Sequence, residues 1–398
     1  MTVETQQPAS PIPDEIPVSE IARPTSPKAI AEVLTAASDA GRPVLPFGGG
    51  TSLATGDHVD TPFLGLDLRG ISGVREYQPA DLTASFWAGT LLREVIATLG
   101  EHGQELPLDL PQAESATIGG LVATGFSGPR RLGSGSLKDL IIGAGYVRGD
   151  GLIAKAGGML VKNVSGFEIP RLLHGSWGAL AVITSINLKI TPKPKADVTI
   201  SRSFSSLGEA LAAQATLLQR HATIAACVTE KDGDGWALRV RLLGRQASLR
   251  AQLREIEAGL GASIDEAEGD ALWRDYADRW AAARGDVHLV AGGQPRTLAQ
   301  TATTIAGWPG VRAMTVSVGT GSIRVRFDPA ALSMDDLQGR MAPFDAARWI
   351  VESAPPAWKG DGSVWGSAPD GLDLMRAIKQ EFDPAGILNR GRLFVGNR

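Results

Sequence analysis

Residues 43–52 read Pro43-Val44-Leu45-Pro46-Phe47-Gly48-Gly49-Gly50-Thr51-Ser52, an apolar run that breaks into three glycines and two hydroxyl residues. This is the outline of a strand ending in a backbone anion site. Successive glycines reach φ > 0 without penalty, so their N–H groups can converge, and no Cβ keeps a phosphate oxygen away. Taken alone, the stretch equally describes an ordinary turn between two strands. A dinucleotide is too large for one short loop, so the sharper reading needs a second glycine-rich segment. Residues 111–128 provide one, Pro-Gln-Ala-Glu-Ser-Ala-Thr-Ile-Gly-Gly-Leu-Val-Ala-Thr-Gly-Phe-Ser-Gly. Its small residues Ala116, Thr117, Gly119, Gly120, Thr124, Gly125 and Gly128 let backbone lie against a flat ligand, although a tight helix crossing would use the same residues.

Neither segment is a dinucleotide fingerprint of the Rossmann kind. Leu53 stands where the third glycine would be, and Gly143-Ala144-Gly145 fails at Arg148. No Gly-Lys-Ser/Thr step signals a P-loop.

The chain has 398 residues, more than one core usually serves, so two domains are expected. Glycine makes up 48 of them, well above the usual share of about 7%, and clusters between residues 41 and 178. A net charge of −4 and a pI near 5.8 give no electrostatic case for nucleic acid. Cys227 is the sole cysteine, so the chain forms no internal disulfide and cannot supply the four thiolates of an iron–sulfur cluster. The first twenty residues are rich in proline, acidic and hydroxyl residues and read as a flexible tail, not a signal peptide. No window approaches a membrane span. A cytoplasmic location is expected, with attachment at the inner membrane through partners left open.

Apolar spacing predicts a helix from Pro27 to Ala40 stopped by Gly41, and another carrying Leu91, Leu92, Val95, Ile96 and Leu99, closed at Gly100. Residues 139–192 read as strands with Gly-Asp-Gly and Gly-Gly turns, ending in the alternating run Ala181–Ile190. After Thr191-Pro-Lys-Pro-Lys the texture changes to longer helices. Residues 197–267 and 287–353 each read strand, helix, strand, strand, helix, strand, with hairpins at Lys231-Asp-Gly-Asp-Gly and Gly319-Thr-Gly. Two β-α-β-β-α-β units side by side would form one antiparallel sheet with helices on a single face.

Pro46-Phe-Gly-Gly-Gly-Thr-Ser-Leu53, Ala116-Thr-Ile-Gly-Gly-Leu-Val-Ala-Thr-Gly125, Gly175-Ser-Trp-Gly-Ala-Leu-Ala-Val-Ile-Thr184 and Phe382-Asp-Pro-Ala-Gly-Ile-Leu-Asn-Arg-Gly-Arg392 resemble, in order and separation, the landmarks of the vanillyl-alcohol-oxidase, or PCMH-type, FAD-binding family. Ser127–Asp139 and Gly158–Glu168 bring the chain nearest to the FAD subunits of glycolate oxidase complexes within it. The resemblance covers residues 22–194 and the last twenty; the middle agrees in pattern only.

It implies an α+β fold: a two-part PCMH-type FAD-binding domain over 21–195, an antiparallel-sheet cap of two ferredoxin-like units over 196–355, and a C-terminal segment, 356–398, returning to the first domain. The implied cofactor is non-covalent FAD, with Pro46, Gly48, Gly49, Gly50, Thr51 and Ser52 at the pyrophosphate, Ala116–Gly128 along pyrophosphate, ribose and flavin, Ile183 offering backbone to the adenine, and Asn389 near the ring. The implied reaction is oxidation of glycolate or a related 2-hydroxy acid, with a homologous FAD-containing catalytic subunit and an iron–sulfur subunit as partners. Two alternatives stand beside it, a self-sufficient 2-hydroxy-acid dehydrogenase and a non-enzymatic assembly module without flavin. The family ending Asn-Pro-Gly is here Asn389-Arg390-Gly391. Related dehydrogenases use a histidine-glycine motif in the C-terminal half for metal and proton abstraction, whereas this chain has no histidine after His288. No metal site is therefore expected, and substrate chemistry is expected on the partner.

Oxidation of a hydroxy acid needs a base and usually a cation, and no pair stands out. His102 ends a helix, where the macrodipole favours a cation. His174, beside Gly175-Ser-Trp-Gly, is a candidate to approach a flavin; His58 follows the glycine loop without an attachment motif; His221 and His288 read as ordinary strand-edge residues. Arg130, Arg131, Lys138 and Lys162 supply positive charge, Arg130-Arg131 most suggestively. Cys227 reads as core. Seven of the nine tryptophans fall in the C-terminal half, as core or as a partner surface.

Overall fold

A computed structural model of the chain describes residues 11–159, 167–220, 223–260, 265–281, 285–344, 348–360 and 362–393. Lys162 and His221 lie outside them. Strands β1 (Val18–Ala22), β2 (Val44–Phe47) and β3 (Phe63–Asp67) make a parallel sheet in the order β1-β3-β2. Strands β4 (Val74–Gln78) and β5 (Thr83–Trp87) precede a two-residue strand β6 (Gln104–Glu105). They join β7 (Ile141–Arg148), β8 (Ile153–Gly157) and β9 (Ala181–Lys189) in an antiparallel sheet ordered β4-β5-β9-β7-β8. β10 (Thr191–Pro192) pairs back with β6.

The helix Pro27–Asp39 forms as its spacing predicts. Ser26 caps it by accepting from the Ala29 N–H, Pro27 occupies its first turn, and Ile30, Leu34 and Ala37 are its buried face. That face packs with Val44, Leu66, Val147 and Val182 and with Ile387 and Leu388 from the far end of the chain. The return is pinned by backbone. Val44 donates to Ile387 O at 2.8 Å and Asn389 donates to Val44 O at 2.9 Å. Residues 11–20 are not a loose tail, since Ile16 is buried and β1 starts at Val18.

The remaining strands are β11 (Ala196–Phe204), β12 (Ile224–Asp232), β13 (Gly235–Gly244), β14 (Asp265–Glu268), β15 (Val287–Gly292), β16 (Val311–Ser317), β17 (Ser322–Phe327) and β18 (Arg348–Ser353). They form one sheet in the order β14-β11-β13-β12-β16-β17-β15-β18, each pair of neighbours antiparallel. The two ferredoxin-like units read from the sequence are both present, joined at β12–β16, where Thr229 meets Val316 and Glu230 meets Thr315.

The helices do not all lie on one face. Those at Leu207–Arg220, Gln246–Leu260, Pro295–Ala306 and Met334–Met341 belong to the two units. The helix Gly269–Ala281, between the units, packs Trp273, Tyr276 and Trp280 against Ala226 and Val228, whereas Cys227, between them on β12, faces the opposite cluster with Leu217 and Leu249. Period-two alternation makes this a statement about the sheet: a second, partly polar face exists, and the inter-unit helix covers part of it. Six of the seven C-terminal tryptophans are buried, so core packing accounts for them. Burial also pushes the Cys227 thiol up to about 12 against a Gln214 contact. A thiol reagent is therefore expected to leave the native protein unlabelled and to titrate one thiol per chain in urea; rapid native labelling would contradict this packing.

Candidate flavin cavity

The two glycine segments meet. A Cβ on Gly49 would lie 1.7 Å from Ser115 O, and one on Gly48 would lie 2.2 Å from Thr117 Oγ1. Thr117 is itself fixed as the cap of the helix Ile118–Thr124, accepting from Gly120 N at 3.2 Å. Gly119 seats that helix on Ala88, where a Cβ would come within 2.6 Å. The glycines thus let one loop lie directly on the other, and their shared rim opens on a cavity of about 1020 Å³.

Pro46, Gly48, Gly49, Gly50, Thr51 and Ser52 line one side of this cavity. Ala116, Thr117, Gly119, Gly120 and Thr124 line the next, and Ile183 and Asn389 complete the floor. Gly125 and Gly128 lie outside the wall. Gly125, at φ +66°, ends the helix against Gly175, and Gly128 packs on Asp109. Their glycine requirement is one of packing.

Two sequence landmarks converge at Asn389. Its Nδ2 donates to Trp177 O at 2.7 Å, Gly178 crosses close above it, and both Trp177 and Asn389 hold positive φ, +53° and +49°. Arg390, standing where the family carries proline, holds the turn by donating to Gly386 O, Ala385 O and Gly41 O. Asn389 Oδ1 is buried without a partner among the described residues. An orphaned acceptor in the wall, a glycine cradle that side chains would fill, and a volume at the top of the usual range of about 300–1,000 Å³ fit an extended, polar-edged ligand such as FAD.

The sequence-singled cations serve elsewhere. Arg130 is buried, bonded to Glu105 at 2.6 Å, while its N–H donates to Asp109. His174 is not in the cavity wall; burial lowers its pKa, with Lys138 adding to the effect. His102 packs edge-on to Tyr77 at 5.2 Å. His58 sits 3.1 Å from Asp60 at the surface.

Sequence reasoning missed the opposite wall, which the sheet face supplies. On β15, Val287, Leu289 and Ala291 point into the helix-covered core, so His288 points the other way. It is not at an edge, because β17 and β18 flank β15 on both sides. It is 2% exposed and lines the cavity with Trp280, Asp286, Glu352 and Ser353. Its Nδ1 is 3.3 Å from Glu352 Oε2, and Arg324 Nη1 donates to the same oxygen at 3.1 Å. Trp280 stacks beside the ring at 5.5 Å. Nε2 has no partner among the described residues, an omission that costs about 1–3 kcal/mol in a buried group.

Burial pushes the imidazole down to about 4, with Glu352 opposing and Arg324 and Arg326 assisting. Burial works to raise the Glu352 carboxyl, but Arg324 and His288 more than offset it and hold it below its ordinary value. The pair is therefore carboxylate plus neutral imidazole near neutrality. Arg324 also lies over Phe126, from the second glycine segment, at 5.3 Å, which ties this face to the loops opposite. Thr55 Oγ1, donating to Glu352 O, does the same from just beyond the first, and Lys359 Nζ from the C-terminal segment donates to Ala54 O.

Comparison with known proteins agrees with this architecture. The FAD binding domain family matches residues 18–157, and the C-terminal domain of FAD linked oxidases matches residues 366–393. Glycolate oxidase subunit GlcE of Escherichia coli K12 is 31% identical over 335 residues, covering 83% of this chain and 87% of that protein. Glycolate oxidase subunit GlcD of Bacillus subtilis 168 is 25% identical, covering 97% and 91%. An alkyldihydroxyacetonephosphate synthase structure superposes with a TM-score of 0.68 at 16% identity, over 93% of this chain and 75% of that one, which speaks for the fold alone.

Proposed function

The chain belongs to the family of FAD-linked oxidases that contains glycolate oxidase subunit GlcE, and from that membership and the shape of its cavity we propose that it is the FAD-holding subunit of a complex oxidising glycolate or a related 2-hydroxy acid to the 2-oxo acid. It is an FAD-dependent oxidoreductase. The observation that carries the proposal is the meeting of residues 48–52, 116–124 and Asn389 around one cavity.

In this reading Gly48–Ser52 hold the pyrophosphate, Ala116–Thr124 run along pyrophosphate, ribose and ring, Ile183 offers backbone to the adenine, and Asn389 lies near the ring. Bound FAD supplies a two-electron acceptor for a C–H bond. Electrons then leave to a partner, because a chain whose only cysteine is the buried Cys227 holds no cluster of its own. A second FAD subunit resembling GlcD and a cysteine-rich iron–sulfur subunit are the partners proposed. Among the described residues no helix is long and apolar enough to cross a membrane.

Co-purification from the native host, followed by visible spectroscopy and addition of glycolate, D-lactate or D-2-hydroxyglutarate without oxygen, tests this. The expected result is a yellow complex bleached by at least one of them. A colourless chain from flavin-replete cells, or a yellow complex that none of them bleaches, would sink it.

A further inference from the structure

Resting on that reading of the cavity, we propose that His288, oriented by Glu352, accepts the hydroxyl proton of the substrate, so that this chain oxidises a 2-hydroxy acid itself and does not only relay electrons for its partner. The proposal stands on the geometry of the sheet face. Three adjacent strands bring Glu352 (β18), His288 (β15) and Arg324 (β17) together, and the first two line the cavity whose far wall is the glycine cradle.

Each neighbour has a definable effect. The Glu352 carboxylate beside Nδ1 favours the tautomer with its proton there, which leaves the Nε2 lone pair as the free acceptor. Arg324 keeps Glu352 ionised. The charged groups facing the ring are Glu352, Arg324, Arg326 and Asp286, and the inter-unit helix contributes the uncharged Trp280. Depressed basicity from burial keeps the imidazole neutral at ordinary pH, the form a proton acceptor needs. His174 also has a buried, unpaired Nε2 among the described residues, but it does not line the cavity, whereas His288 does. His288 spends one nitrogen on a carboxylate and, among the described residues, leaves the other bare.

In the step itself the substrate O–H bond breaks and its proton goes to Nε2. The electron pair left on oxygen would become the second bond of the 2-oxo group, and FAD, when bound, would supply the two-electron acceptor for the C2 hydrogen and its electron pair. The proton returns to solvent between turnovers.

The test compares the wild-type flavoprotein with H288Q and E352Q, mixed with glycolate or D-lactate without oxygen in single-turnover mode. H288Q is expected to keep its flavin and its spectral response to oxalate, an unreactive anion, while bleaching falls by about 10² to 10⁴-fold. E352Q is expected to bleach more slowly and, having lost the charge that supports the imidazole, to shift its acid limb to lower pH. Nitrogen NMR of the histidine rings in the wild-type flavoprotein gives a readout independent of any variant: a neutral ring protonated at Nδ1 is expected for His288 from about pH 5 upward, given a ring pushed down to about 4. A ring protonated at Nε2, wild-type bleaching rates in H288Q, or an unmoved acid limb in E352Q would each overturn the proposal. If the assembled complex is bleached and the isolated wild-type chain is not, the inference fails and the subunit reading survives. If neither is bleached, both fall.

Discussion

Gly49→Ala is expected to produce a chain that no longer retains flavin. The added Cβ would sit 1.7 Å from a backbone carbonyl, that of Ser115, so no rotamer change can relieve it. One loop must move away from the other, and both are walls of the same cavity. Overpacking of this kind costs about 1–3 kcal/mol. Spent on separating the two walls, that weakens flavin binding by roughly ten- to a hundred-fold, at about 1.4 kcal/mol per tenfold. Gly48→Ala should do less, because its clash is with the Thr117 side chain, which can turn at the expense of its helix cap. Gly208→Ala is the control: it lies in the helix Leu207–Arg220 with nothing within 4 Å, and alanine there is expected to keep full flavin content and raise Tm slightly. Flavin absorbance per chain and Tm check all three, and normal flavin content in Gly49→Ala would refute the contact on which the cavity rests.

Lys379→Met is expected to cost about 3–5 kcal/mol of stability, the usual result of stranding one member of a buried pair. Lys379 Nζ meets Asp383 and donates to Ala179 O at 2.8 Å and Leu388 O at 2.9 Å. Asp383, 1% exposed, in turn accepts from the N–H groups of Ile387 and Leu388. Burial pushes the lysine down and the aspartate resists. Without the ammonium, Asp383 is a buried carboxylate that has lost its charge partner. Urea unfolding measures the deficit. Lys379→Met/Asp383→Asn should recover part of it, and a double variant no more stable than Lys379→Met would show that the stranded charge is not the cause.

What the sequence reveals and what it hides follow the distance over which each signal acts. The glycine segments are legible because their chemistry is local: small residues in a row report close backbone approach wherever the chain goes. The ferredoxin-like units are legible for a similar reason, since alternation and hairpin glycines near Lys231 and Gly319 set strand boundaries and register. The inter-unit helix Gly269–Ala281 carries the apolar spacing of Trp273, Tyr276, Ala277 and Trp280, but the repeat pattern says nothing of which face it would cover. His288 is the least legible functional residue. A single histidine in an alternating strand looks the same at a sheet edge and in its interior. Its partner Glu352 is distant in the chain, and only the order β17-β15-β18 makes them neighbours. The signal available was parity: His288 falls on the opposite face from Val287 and Leu289, where a core residue would not be polar.

The pairing of β2 with residues 387–389 sets a clock on maturation. During synthesis the chain emerges N-terminus first, so the glycine loop leaves the ribosome well before residues 387–389, which complete its cavity, are made. Until then one edge of β2 is bare and open to wrong pairing. A complete cavity for flavin accordingly exists only once residues 387–389 have been made, and until then the nascent chain shows a strand edge that the folded protein covers.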